Sequence, residues 1–199
     1  DVGALGKPGM RVTRGELIML ALNIGNESNL DKLIRGMGGD PESKVKGAGW
    51  NINEELIDAA LDNLTEQEWN IVKAVWGHAE KLYPTVEGIY RREHGVSPDR
   101  LQSRTVKTKF GDIKGGYFPM MYDTTIAGVA ADLKQKTSLE LMQAETGRAS
   151  INSSMTKGRT GYAAPVNLNI SQMASGLDNT IHFITHYEAV RNANKTLGD

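Results

Sequence analysis

The chain has 199 residues, 39% hydrophobic and 24% charged, long enough to bury a core as one domain and too apolar to stay wholly disordered. Its formal net charge of -1 excludes a global field drawing it to nucleic acid or to an acidic membrane surface, so any such contact has to be local. Absence of Cys excludes a disulfide framework and a thiol nucleophile, and the longest apolar runs, such as 17–22, fall far short of the about 20 residues that span a bilayer.

Residues 1–12 carry three Gly and one Pro without an apolar period, which predicts an N-terminal arm or linker. Thr13 and Glu16 have capping-box spacing and open a short helix through Leu17, Met19, Leu20 and Ala21. Asn23, Gly25, Asn26 and Asn29 break it, and a second helix with Leu30, Leu33, Ile34 and Met37 ends at Gly38 and Gly39. After a loop over 38–50, Asn51 with Glu54 repeats the capping arrangement, ahead of Leu56, Ile57, Ala60 and Leu61. Thr65 with Glu68 opens the strongest element, whose apolar positions Trp69, Val72, Val75, Trp76, Ala79, Leu82 and Tyr83 recur at three and four. Pro84 predicts a kink or a new helix through Val86, Ile89 and Tyr90, ending at Gly95. Residues 96–123 lose the helical period, and a short hairpin is expected around 111–116. A helix is predicted over 124–143, a mobile loop near 146–165, and a final helix whose stripe is Met173, Leu177, Ile181, Ile184, Val190 and Leu197. With aromatics at 6% and 22 Gly, these elements predict an all-α or nearly all-α fold. It is an irregular bundle of six or seven helices, a single domain over 13–199 threaded by an extended aromatic segment.

No constellation of catalytic residues stands out. His182 and His186 lie four apart on one helix face, the spacing of a helical metal site. The intervening Phe183, Ile184 and Thr185 lack the glutamate of a metalloprotease, and no third ligand is evident, so neither a metal nor a cofactor is expected. The carboxylates of Glu54, Glu55, Glu66 and Glu68 fall in first helical turns, where capping and the helix dipole account for them. The stretches GMGGD and KGGYF lack the Lys-Ser/Thr of a phosphate loop. A basic series, Arg91, Arg92, Arg100, Arg104, Lys107, Lys109 and Lys114, lies beside Phe110 and Tyr117. Cations that neutralise phosphate, together with rings that stack on bases, suit single-stranded nucleic acid, whereas Glu93, Asp99 and Asp112 dilute the charge toward an ordinary solvated loop. Tyr117, Phe118, Pro119, Met120, Met121 and Tyr122 concentrate large apolar area after a Gly pair. They are expected either to plug the core of their own domain or to dock onto a partner.

Three segments are familiar together: ELIMLALNIGNESNLDKL at 16–33, LTEQEWNIVKAVWGHAEKLYPTVEGIYRREHGVSPDRL at 64–101 and KGGYFPMMYD at 114–123. With the ending HFITHYEAVRNANKTL at 182–197, they resemble a helical domain of the very large phage and prophage proteins called polyvalent proteins, which travel in the virion and enter the host with the DNA. The resemblance is weakest over 124–165 and brings no catalytic motif. It implies a non-catalytic structural or interaction module, located in the virion or the host cytoplasm, whose partners are other domains of a parent polypeptide or other virion proteins. A chain opening on Asp1 without Met is expected to be part of a longer polypeptide, and neither a signal peptide nor a membrane span is expected. Two rival readings stay open. One is a nucleic-acid-binding accessory domain, and the other is an unrecognised hydrolase or transferase, which requires a polar pocket where His and carboxylate groups converge.

Overall fold

A computed structural model describes residues 11–38, 52–97, 100–123 and 164–174, with separate positions between 177 and 196. The expected helix over 124–143, the arm residues 1–10 and the 146–163 part of the expected loop lie outside the described residues.

Helix α1, Arg14–Asn23, starts where the sequence places its cap. Thr13 Oγ1 accepts from the Glu16 N–H at 3.3 Å, and the Thr13 N–H donates to Glu16 Oε2 at 2.7 Å. Every residue of this helix beyond Glu16 is buried, and a helix apolar on all sides has to be central. It packs against α2, Glu27–Gly38, α3, Glu54–Leu61, and α4, Glu66–His94. Val12, inside the expected arm, is only 2% exposed and belongs to this core.

The cap of α3 differs from the expected one. Asn53, and not Asn51, accepts from the Leu56 N–H at 2.8 Å. Capping from Asn53 leaves Ile52 and Ile57 at the two positions of a hydrophobic staple, and both are buried in the core. Helix α4 runs unbroken through Pro84 for 29 residues, about 44 Å at the α-helical rise. It neither stops nor restarts there, because its buried series continues past the proline through Val86 and Ile89. Gly95 closes it with φ +74°, the left-handed conformation that glycine adopts freely.

Glu68 closes the α4 capping box with Thr65 and also receives Arg14, whose Nε donates to Oε1 at 2.8 Å while Nη2 pairs with Oε2. The start of α4 is thereby tied to the start of α1. Burial pushes the Glu68 carboxyl up, but the hydrogen bonds from Arg14 and from the Thr65 backbone and hydroxyl outweigh it and leave the group below the usual carboxylate value. A carboxyl held low stabilises the fold above its unfolded pKa, and that stability is lost as the pH falls through the folded value. Glu68→Gln is therefore expected to destabilise the protein by about 1–2 kcal/mol at neutral pH. Urea titrations across the acid range should show the gap to the parent closing as the pH drops; a gap independent of pH contradicts the assignment.

After α4 the chain forms an antiparallel hairpin of β1, Thr105–Thr108, and β2, Gly111–Lys114, with Thr105 opposite Lys114 and Thr108 opposite Gly111. The molecule is thus predominantly helical but not strictly all-α. The hairpin begins earlier than the expected 111–116 because Gly111, at φ +108°, ends the two-residue turn and does not begin one. Residues 115–123 then thread through the fold and pair with a distant segment: Tyr122 bridges Val166, and the Asn167 N–H donates to Met121 O at 2.8 Å.

Helical residues recur from 172 to 196. Met173 packs on the main core, and Leu177 and Ile184 pack on a second cluster of Ala79, Tyr83 and Val86. Ile181, expected in this stripe, is 40% exposed, whereas Tyr187 is 4% exposed. At about 100° per residue, Leu177, Ile184 and Tyr187 fall within roughly 40° of Met173 while Ile181 lies about 80° away. Val190 and Leu197 lie outside the described residues.

Candidate functional site

The centre of the described structure is an interlock between the α1–α2 turn, the 115–118 segment and Trp76 of α4. A Cβ on Gly25 would approach the Trp76 ring to 2.6 Å, and one on Gly116 would approach the Trp76 Cβ to 2.6 Å. Side chains at these points are therefore excluded by contact with neighbouring backbone and the indole. Backbone bonds close the joint: the Arg104 N–H donates to Gly25 O at 3.1 Å, and the Gly115 N–H donates to Arg104 O at 2.8 Å. The Trp76 indole N–H donates to Leu22 O at 3.1 Å.

Two buried asparagines complete it. Asn26 Oδ1 accepts from the Asn29 N–H at 2.9 Å, as an N-cap of α2, and Asn29 Nδ2 donates to Phe118 O at 2.8 Å. In the sequence these residues stand out only as helix breakers. What could have exposed their second role is the three-residue spacing of Asn23, Asn26 and Asn29, all of which are buried. Asn29→Leu keeps the size but removes the donor, leaving the Phe118 carbonyl without this buried partner. A loss of about 1–3 kcal/mol is expected, read as a lower urea midpoint; an unchanged midpoint means that the bond contributes nothing.

Beside this joint opens a cleft of about 690 Å³. One wall is the polar face of α4 with Lys73, Gly77 and Glu80, and the other is formed by the 100–103 and 114–117 segments. Arg100 crosses it, pairing with Glu80 while its guanidinium lies 4.7 Å from the centroid of the Tyr83 ring. Lys73 and Lys114 also line it, and neither has an ion-pair partner among the described residues. Gly77 stands in the middle of a long helix, where glycine costs roughly 1 kcal/mol relative to alanine. Packing does not demand it, because a Cβ there would meet nothing within 4 Å. In the sequence the one trace of this cleft is a glycine between charged positions of an amphipathic helix, which does not say what faces it.

The basic series does not form one surface. Arg91 pairs with Glu87 at 2.9 Å on the last turns of α4, where Arg92 is also exposed. Arg100 and Lys114 face the cleft. Arg104 pairs with Glu54 and stands 3.6 Å from Glu27, and Lys109 Nζ donates to Asp62 O at 2.6 Å. With Lys107, these last residues line the hairpin side of an acidic row on α3, Glu54, Asp58 and Asp62. Burial, then the Glu54 carboxylate, pushes the Asp58 carboxyl above its ordinary value against the pull of Arg104 and Lys107. A carboxyl held high stabilises the fold when protonated, and that contribution is lost as the pH rises through its folded value.

In the aromatic segment, Phe118 is fully buried, Pro119 is buried, and Tyr117, Met120, Met121 and Tyr122 are half-buried. Phe110 stands 47% exposed at the hairpin tip, under the Lys109 ammonium. His78 and His186 do not join the cleft lining: His78 is exposed on α4, and exposed His186 meets the Thr185 hydroxyl at 2.7 Å. His182 lies outside the described residues. No group of acidic and His side chains able to hold a metal ion occurs among the described residues. No known family, curated protein or solved structure matches the chain.

Proposed function

We propose that the chain is a non-catalytic interaction module of a large phage virion protein or injected polyvalent protein. The observation that carries this reading is that the three segments on which the resemblance rests close on one another. Gly25 from 16–33, Trp76 from 64–101 and Gly116 from 114–123 meet at a single joint, so the segments that carry the resemblance form one packed unit. In this reading the bundle has six or seven helices, and its partners are neighbouring domains of a parent polypeptide or other virion proteins. It works in the virion or, after delivery, in the host cytoplasm. The nucleic-acid reading has less support, because Arg91, Arg100, Arg104 and Lys109 are engaged with groups of their own fold. A hydrolase or transferase has less still, since among the described residues the one carboxylate lining the cleft, Glu80, is paired with Arg100 and no histidine joins it. Among the described residues no helix is long and apolar enough to cross a membrane. Mass spectrometry of density-purified phage particles should recover peptides of this chain at structural stoichiometry. Their absence from particles and from freshly infected host cytoplasm overturns the proposal.

A further inference from the structure

We infer that the cleft beside Gly77 is a docking site for an acidic peptide segment in extended conformation. This inference rests on reading the chain as an interaction module and names the chemistry of the partner. Among the described residues, three cations, Lys73, Arg100 and Lys114, face one carboxylate, Glu80, an excess of two positive charges in a partly desolvated space where attraction is stronger than in bulk water. Arg100 displays the recognition already, since a carboxylate of the chain itself sits against a guanidinium braced on the Tyr83 ring. Gly77 leaves the α4 backbone open at the middle of this wall, the condition under which another main chain can approach closely. Lys73 and Glu80 lie about 10 Å apart along the helix axis, a span of about three extended residues. Single-stranded nucleic acid fits less well, because bases need open ring faces. In this cleft Trp76 is only 3% and Tyr83 only 8% exposed, and Tyr117 is half-buried against the second cluster.

The test uses the whole chain and fluorescence anisotropy with a labelled poly-Glu peptide, against a labelled oligothymidylate of equal charge. Poly-Glu is expected to bind, and to bind more weakly as salt rises. Gly77→Leu starts its side chain from a Cβ that meets nothing within 4 Å and projects it into the cleft, so it should keep or raise the melting temperature yet abolish binding. Combined Lys73→Glu and Lys114→Glu should weaken binding about tenfold, and Glu80→Gln, which releases Arg100, should tighten it. The inference is overturned if poly-Glu does not bind, if Gly77→Leu binds it as the parent does, or if oligothymidylate binds more tightly. Failure here leaves the virion assignment intact, because that depends on particle composition. Conversely, peptide binding by a chain absent from particles would remove only the virion assignment.

Discussion

Gly116→Val is expected to destabilise the protein by about 3 kcal/mol or more, the upper range for forcing atoms into a packed interior. The added carbons enter the space held by the Trp76 side chain, whose Cβ and Cγ would lie 2.6 and 2.8 Å from the new Cβ. Trp76 cannot retreat cheaply. It is 3% exposed, and its indole N–H is committed to Leu22 O. Relief therefore requires the 115–118 segment to lift, which strains the Gly115–Arg104 and Arg104–Gly25 backbone bonds together. Gly77→Ala, one residue along from Trp76 on α4, provides the control: its Cβ meets nothing, and alanine's helix propensity should make it neutral or stabilising. Urea denaturation followed by near-ultraviolet circular dichroism of the tryptophans separates the two. If Gly116→Val unfolds at the midpoint of the parent, the joint is not where the fold closes.

Phe118→Ala is expected to cost about 3–5 kcal/mol, the range for emptying a large buried aromatic site. Against the total stability of about 5–15 kcal/mol usual for a domain, that loss leaves the variant close to unfolding. Phe118 is wholly inaccessible, and its own carbonyl receives the Asn29 amide, so the cavity opens where α2 and the threaded segment are joined. Phe110→Ala, eight positions earlier at the exposed hairpin tip, should change stability by no more than about 0.5 kcal/mol. The comparison isolates placement from composition, because both substitutions delete the same ring. Equal effects at the two sites would refute the view that residues 115–123 serve the core.

These residues also mark how far the sequence could be read. Capping at Thr13 and Thr65 was legible, because a cap is settled within four residues of chain. The α4 stripe was legible because helical periodicity registers burial on one face. Pro84 signals a kink or a new helix; no new helix begins there, since the buried series continues through Val86 and Ile89 despite one missing hydrogen bond. The α3 cap expected at Asn51 falls instead at Asn53, the position that leaves Ile52 and Ile57 against the core. The cleft was hidden: its walls come from residues 73–80, 100–103 and 114–117, and no local pattern states that these will face one another.

Residue type and spacing by themselves determined where α1 and α4 start, which face of α4 is apolar, and that the chain holds enough apolar area to fold without cysteine. Tertiary structure alone decided the use of the charged and polar residues. The sequence grouped Arg91 through Lys114 as one basic stretch, and folding divided it among α4, the cleft and the acidic row of α3. It also turned Asn29 from a helix breaker into the amide that satisfies a buried carbonyl. The physical reason is range. Helix propensity and capping act between neighbours along the chain, whereas the Arg104–Glu54 ion pair and the buried Asn26 and Asn29 amide bonds join groups 50 to 90 residues apart that meet only once the core has formed.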